Sequence, residues 1–437
     1  MSESAAANWK DFLEFASLSD IGCRRSNNQD SLIVVEASSE LEWYRRGHMF
    51  MVADGMGAHA AGEMASKLAC GGVTHKYFKL PDLSAPEALR RSVVETNAEI
   101  HARGKANIEF QGMGTTCSIL TLLPQGAITA QVGDSRVYRL RKQRLEQLTF
   151  DHSLVWEMMA GGQLPKGDSA AFIPKNIITR SLGPHAEVKT DLEGPFPLEV
   201  GDTFMICSDG LSGPVSDEEI GLLIGALPPA EAVRALVDLA ILRGGPDNIS
   251  VIVVRVKQPV RLSDDSLPDR AGQSNQPSGL STVHPAFWIA TGVLALAAAG
   301  TAAAGSTIPA AVCGVGALGV GLFGLIKGIV DRPRVDNGWS NSRLGTGPHT
   351  SRAIQPTAAL VSPFIQLCEK LRNDTKESGF VVDWPPFDDS LQKAKDNVRA
   401  GHFQLALREA NRAISSLMDQ VRRQKKKKTN DSSVIEL

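Results

Sequence analysis

Residues 49–59, MFMVADGMGAH, run from an apolar stretch straight into Asp54-Gly55, with His59 close behind. The chain repeats the device. Phe204-Met205-Ile206-Cys207 leads into Ser208-Asp209-Gly210, Gly244-Gly245-Pro246-Asp247-Asn248 precedes the apolar run 249–256, and Asn27-Asn28-Gln29-Asp30 precedes 32–35. A single Asp-Gly also marks ordinary turns after strands. Four aspartates at strand ends, spread from Asp30 to Asp247, point instead to one site assembled by folding. All-carboxylate sites suit Mg²⁺ or Mn²⁺, hard cations that take oxygen ligands and keep bound water. No Cys or His pair has the spacing of a zinc site.

These residues need strands to deliver them. Short β-rich runs are predicted at 31–37, 48–53, 115–123, 127–132, 136–141, 203–207 and 249–256, and long helices at 62–78, 86–105 and 230–242. Tight turns such as Pro124-Gln125-Gly126 join successive strands, which favours antiparallel pairing over repeated βαβ units. The expectation is an α+β domain over 10–257, with helices covering an antiparallel sheet or sandwich.

The 437 residues leave room for two or three domains, and the net charge is only -2. The two ends differ, because residues 1–257 carry 25 Lys and Arg against 32 Asp and Glu, while 331–437 carry 18 against 13. An acidic front fits a site that concentrates divalent cations and argues against nucleic acid as its partner. Cys23, Cys70, Cys117, Cys207, Cys313 and Cys368 are far apart and mostly lie in apolar runs, as expected of core residues in a reducing compartment. Met1 to Trp9 is polar and small, so no signal peptide is expected and the front half is expected in the cytosol.

Composition changes beyond 257. A polar linker, 258–285, gives way to a stretch with no charged residue from Ala271 to Ile326. As helix, the 41 residues 286–326 would span roughly 60 Å, twice the ~30 Å hydrocarbon core of a bilayer. Gly305-Ser306-Thr307 and Pro309 offer a break, so 286–330 reads as a membrane hairpin of two helices, with a single span or a buried Gly/Ala-rich soluble segment as the alternatives. Lys327, Arg332 and Arg334 flank its second span and the break is uncharged, which places both ends in the cytosol. After a linker at 331–357, region 358–425 is helical and ends on Lys425 to Lys428, a run suited to anionic lipid headgroups or to solvent. Phe403, Leu407, Ala410, Ile414, Leu417 and Val421 recur at spacings of four and three, the apolar face of one helix. With 391–398 they suggest a hairpin like a tetratricopeptide unit, or a small bundle with a helix at 359–371, available to a protein partner.

Eight ordered motifs give the front half a family resemblance. They are Asp20-x-Gly22-x-x-Arg25-x-x-Asn28-Gln29-Asp30, Asp54-Gly55-Met56-Gly57, Gly112-Met113-Gly114-Thr115-Thr116, Gly133-Asp134-Ser135-Arg136, Asp151-His152-Ser153, Thr179-Arg180-Ser181-Leu182-Gly183, Ser208-Asp209-Gly210 and Asp247-Asn248. Residues 15–257 resemble the metal-dependent phosphatases of the protein phosphatase 2C type, and the Asp-Gly-Met-Gly form is similar to the bacterial branch. The resemblance implies an α-β-β-α sandwich that hydrolyses phosphoserine and phosphothreonine in proteins, opposite Ser/Thr kinases, through a water activated by two Mg²⁺ or Mn²⁺ ions. It implies that Asp54 bridges the ions, the Gly55 carbonyl adds an oxygen, Asp209 and Asp247 hold one ion, and Asp30 acts largely through water. It also implies that Asp134 and Asp209 belong to a third, weaker ion. Arg25 would clamp the phosphate by two charge-assisted hydrogen bonds. His59 would protonate the leaving alkoxide, while His152 reads as structural.

Three residues depart from the family pattern. Ala58 stands where a further Gly is usual, Gln29 replaces the more frequent Glu, and Gly213 replaces an aspartate of the third site, which is therefore in doubt. The alternative reading is a pseudophosphatase that binds phosphoproteins or scaffolds a membrane complex. Within the enzyme reading, substrate choice would rest on the segment 151–179, the expected flap.

Overall fold

The computed structural model describes residues 9–58, 60–163, 174, 177–261, 296–297, 299–300, 302–305, 315 and 343–432, with side chains of the last stretch to 424. Its strands are β1 Leu13–Asp20, β2 Asp30–Val35, β3 His48–Met56, β4 Gly114–Thr115, β5 Cys117–Leu123, β6 Gly126–Val132, β7 Arg136–Arg141, β8 Arg144–Gln147, β9 Asp191–Phe196, β10 Thr203–Cys207, β11 Ile249–Val256 and β12 Thr350–Ala353. Its helices are α1 Glu40–Arg46, α2 Ala61–Phe78, α3 Ala85–Ala106, α4 Leu154–Ala160, α5 Asp209–Ser212, α6 Asp217–Ala226, α7 Pro229–Leu242, α8 Ala358–Glu377, α9 Trp384–Arg399 and α10 Phe403–Ser432. All sheet pairs are antiparallel, in the orders β1-β11-β10-β7-β8-β12 and β2-β3-β5-β6-β9, with β4 against the end of β3.

Side-chain alternation explains why the central strands read as unbroken apolar runs. On β10, Phe204 and Ile206 enter the core between the sheets, with Phe50, Val52, Leu120, Leu122, Ile252 and Val254. Met205 and Cys207 point the other way, into a second core under α6 and α7, as Val251 and Val253 do from β11. Both faces are therefore buried. Against the other sheet, α2 lays the small residues Ala65, Ala69 and Cys70, which allow close helix–sheet approach. The α6 start is fixed by a capping box, in which Ser216 accepts from Glu219 N–H and Glu219 accepts from Ser216 N–H.

The C-terminal region departs from the arrangement expected of it. Residues 343–424 belong to the same compact unit as the front domain, while Leu267–Trp339 forms a second unit that lies almost wholly outside the described residues. Within the stretch expected to be a linker, β12 extends the first sheet at β8, from Thr350 against Gln147 to Ala353 against Arg144. Gly347 N–H donates to Glu193 at 2.7 Å, and Ile354 is buried beside α6. The apolar faces of α8, α9 and α10, including Val361, Phe364, Phe387, Leu391, Leu407, Ala410, Ile414 and Leu417, join the core under α6 and α7. The face that suggested an external partner is thus covered within the chain. No helix among the described residues is long and apolar enough to cross a membrane, and the expected hairpin at 286–330 lies outside them apart from 296–297, 299–300, 302–305 and 315.

Candidate metal and phosphate site

The four aspartates meet where strand ends of both sheets converge. Asp30 opens β2 and pairs in register with Asp54 on β3, Asp209 opens α5 directly after β10, and Asp247 lies two residues before β11. The two sheets are joined at this point by Ser208, whose hydroxyl donates to Asp30 Oδ2 at 2.8 Å. Asn248 holds the preceding loop, accepting from Gln29 N–H at 2.8 Å and donating to the Ile21 and Asn27 carbonyls. Asp54 is fixed through its backbone, since its N–H donates to Thr116 Oγ1 at 2.8 Å and its carbonyl accepts from Thr115 Oγ1 and Thr116 N–H. A Cβ at Gly55 would collide with the Gly62 and Gln29 carbonyl oxygens, so this approach requires glycine.

The carboxylates repel one another, and several of their buried oxygens lack partners. Burial pushes Asp30 up to about 7, and the charges of Asp209 and Asp247 add to it. Burial also raises Asp54 well above the ordinary carboxylate range, helped by Asp30, Asp209 and Asp134. Asp209 rises through burial and Asp247, and Asp134 reaches about 7 through burial and Asp209. Asp30 Oδ1, Asp134 Oδ1 and Asp209 Oδ1 are buried with no hydrogen-bond partner. Such a cluster fits divalent cations, which would satisfy the orphaned oxygens and cancel the repulsion. Among the described residues no three His, Cys, Asp or Glu groups close into a ready-made cage.

Arg25 joins this group. Its Nη2 donates to Asp247 Oδ2 at 2.7 Å, and the side chain is 53% exposed. Asp134 sits on a turn gripped by His152, whose Nδ1 accepts from Gly133 N–H while its own N–H donates to Gly133 O. On the other side of the ring, Nε2 lies 2.9 Å from Asp191 Oδ2 and 2.8 Å from Arg180 Nη1. His152 is therefore held as a loop support. Gly213 closes α5 by donating its N–H to Asp209 O and brings no carboxylate to Asp134. His59 lies outside the described residues, as do 164–173 of the flap. Ser208, Thr116 and Asn248 lie within sequence motifs that do not mark them as supports, because their partners Asp30, Asp54 and Gln29 are distant in sequence.

The raised carboxyls predict how stability follows pH. Asp30 and Asp134 keep their protons to about 7 when folded but release them near 3.8 when unfolded, so the metal-free protein loses stability as pH rises through that window. Bound divalent cations would take the place of those protons. The rise in Tm on adding Mn²⁺ to EDTA-treated protein is expected to grow from pH 5 to pH 7 and then level off. Melting curves at constant ionic strength check this, and a rise that is the same at every pH would contradict it.

Opposed aspartates, an arginine fork and a two-sheet frame form a candidate site for metal ions and phosphate. The family described as protein phosphatase 2C matches residues 24–238. Protein phosphatase PhpP of Streptococcus pneumoniae serotype 2 is 36% identical over 252 residues, 56% of this chain and 98% of the relative. Serine/threonine phosphatase stp of Listeria monocytogenes is 34% identical over 240 residues, 54% of this chain and 92% of the relative. Among solved structures, serine/threonine phosphatase Stp1 from Staphylococcus aureus superposes with a TM-score of 0.50 at 29% identity, over 56% of this chain and 96% of that one. A PstP catalytic domain solved in complex with 2 manganese ions is 33% identical, with a TM-score of 0.48, over 56% of this chain and 99% of that one. The chain belongs to the protein phosphatase 2C family. It is a metal-dependent protein-serine/threonine phosphatase, and its cofactor is Mg²⁺ or Mn²⁺.

Proposed function

We propose that this chain is a membrane-anchored phosphatase that faces the cytosol and removes phosphate from serine and threonine residues of proteins, reversing Ser/Thr kinases. The observation that carries this reading is the meeting of Asp30, Asp54, Asp209 and Asp247, with orphaned oxygens among them, beside the exposed fork of Arg25. Asp54, the Gly55 carbonyl, Asp209 and Asp247 would hold the ions, and Asp30 would act through ordered water. When bound, Mg²⁺ or Mn²⁺ supplies charge neutralisation at the phosphoryl oxygens and a water of lowered pKa. Arg25 binds the substrate phosphate, because a guanidinium with one N–H on Asp247 keeps four donors for another anion. Its exposure suits a phosphate carried on a protein. His59 is assigned the proton that the departing alkoxide takes up.

If 286–330 is the membrane anchor, chain topology favours two crossings over one. Residues before 261 and after 343 are parts of one compact unit, so a membrane segment between them must leave and return on the same side. Two crossings meet that condition and one does not. A reporter fused after Leu437 is expected to give a cytosolic signal, and an extracytoplasmic signal would reject the hairpin. Substrate class is tested by initial rates on a phosphothreonine peptide and on sugar phosphates; a higher kcat/KM on the sugar phosphates would reject the protein-substrate reading.

A further inference from the structure

The outer face of α7 carries charges that the tail answers. Arg234 and Asp238 lie one turn apart on this helix, and α10 sets Asp419 and Arg422 against them. Arg234 Nη1 stands 2.7 Å from Asp419 Oδ2, and Arg422 Nη2 stands 2.6 Å from Asp238 Oδ1. The signs are complementary at both positions, which fixes register as well as contact. The Asp238 side chain is 0% exposed, and Arg422 reaches it as an ion pair without hydrogen-bond alignment. Burial pushes this carboxyl up to about 6, against the opposing pull of Arg422 and Arg234. A buried carboxylate stripped of its cation is strongly unfavourable, so the seating of the tail and the charge on Asp238 are linked.

The same helix delivers the metal site. At its C-terminal end, Arg243 bonds back to the Leu239 and Ala240 carbonyls and ties its side chain to Pro214 O and Glu219. Gly244 and Gly245, both at positive φ, then turn the chain into Pro246-Asp247. Gly245 O accepts from Cys23 N–H at 2.8 Å, so this turn also anchors the loop that carries Arg25. Over the last turn of α7, Pro363, Phe364 and Leu367 of α8 face Leu239 and Leu242 across a cleft of about 260 Å³. The tail grips α6 as well, through Arg352 on Glu218 at 2.7 Å and Arg408 on the Ala226 carbonyl at 2.5 Å. PhpP, matched over 98% of its length by 252 residues of this chain, has no room for a counterpart of the tail.

We propose that residues 343–424 are a positioning module for the phosphatase site: Arg422 seats the tail on Asp238, the seated tail holds α7, and α7 sets Asp247 and the Arg25 loop. The proposal rests on the site assignment above. It makes Arg422 and Asp238 positioning residues that touch neither substrate nor metal, and it makes turnover depend on whether the tail is docked.

Full-length Arg422→Met, Asp238→Asn and the double variant test it by hydrogen exchange, Mn²⁺ titration and kinetics. Arg422→Met is expected to speed amide exchange at 243–248 about tenfold, to weaken Mn²⁺ binding roughly 3- to 10-fold, and to raise KM more than it lowers kcat. Adding Asp238→Asn to Arg422→Met is expected to reverse these changes, because a neutral amide needs no cation. A single variant that loosens the tail yet leaves 243–248 and Mn²⁺ affinity as in the wild type overturns the proposal, as does a double variant no better than the single. Should Arg422→Met not fold, Arg422→Lys is measured in the same ways, with smaller changes of the same sign expected and none overturning it. Exchange and Mn²⁺ binding need no turnover, so a wild-type chain without phosphatase activity would sink the phosphatase reading while these two readouts still decide this one.

Discussion

Asp209→Asn is expected to lower kcat on a phosphothreonine peptide roughly 1,000-fold, about 4 kcal/mol of transition-state stabilisation. The residue opens α5 directly behind a buried strand, one of its oxygens is buried without a partner, and its charge raises Asp30 and Asp134. Asparagine keeps the shape and removes the charge that would hold a cation. Stability should move the other way. Deleting one member of a mutually repelling cluster relieves the metal-free protein, so its Tm without metal is expected to hold or rise while the gain from Mn²⁺ shrinks. Kinetics and melting curves on the same preparation separate this pattern from misfolding, which would lower both.

Arg25→Lys is expected to lower kcat/KM roughly 30- to 150-fold, the loss of about 2 to 3 kcal/mol of charge-assisted hydrogen bonding to the phosphate. A lysine ammonium keeps the charge but cannot offer two parallel N–H groups at fixed spacing. The Arg25–Asp247 pair is substantially exposed on both sides, 53% and 32%, so it contributes little to folding and Tm should hardly change. Steady-state kinetics on the phosphopeptide check the prediction. A Lys variant with wild-type kcat/KM would remove Arg25 from the phosphate site.

The aspartates were legible in the sequence because each ends or begins an apolar run, a pattern that survives without knowledge of the pairing. The predicted strands and long helices recur within a few residues, among them Thr203–Cys207, Ile249–Val256, Ala61–Phe78 and Pro229–Leu242. Strand β1 was missed because it is half-buried and interleaves Ser and Glu with apolar residues, although it pairs with β11 from Leu13↔Val256 to Asp20↔Ile249. Helix α6 was missed because its interior is buried nearly all round and shows no amphipathic period. The supports of the site were illegible for another reason: Ser208 reaches Asp30 and Asn248 reaches Gln29 across the sandwich, and spacing along the chain holds no trace of such bonds. The tail shows the limit of periodicity most clearly. The spacing from Phe403 to Val421 announces a buried face, yet it does not say that α6 and α7 cover it or that Arg422 meets a buried aspartate.

The most direct test is phosphate release from a phosphothreonine peptide by the full-length chain, titrated with Mn²⁺ after treatment with EDTA. The account predicts no turnover in EDTA, saturable recovery with Mn²⁺ or Mg²⁺, and near-complete loss in Asp209→Asn at every metal concentration. Tight phosphopeptide binding without turnover, in a wild-type chain shown to hold its metal, would contradict it.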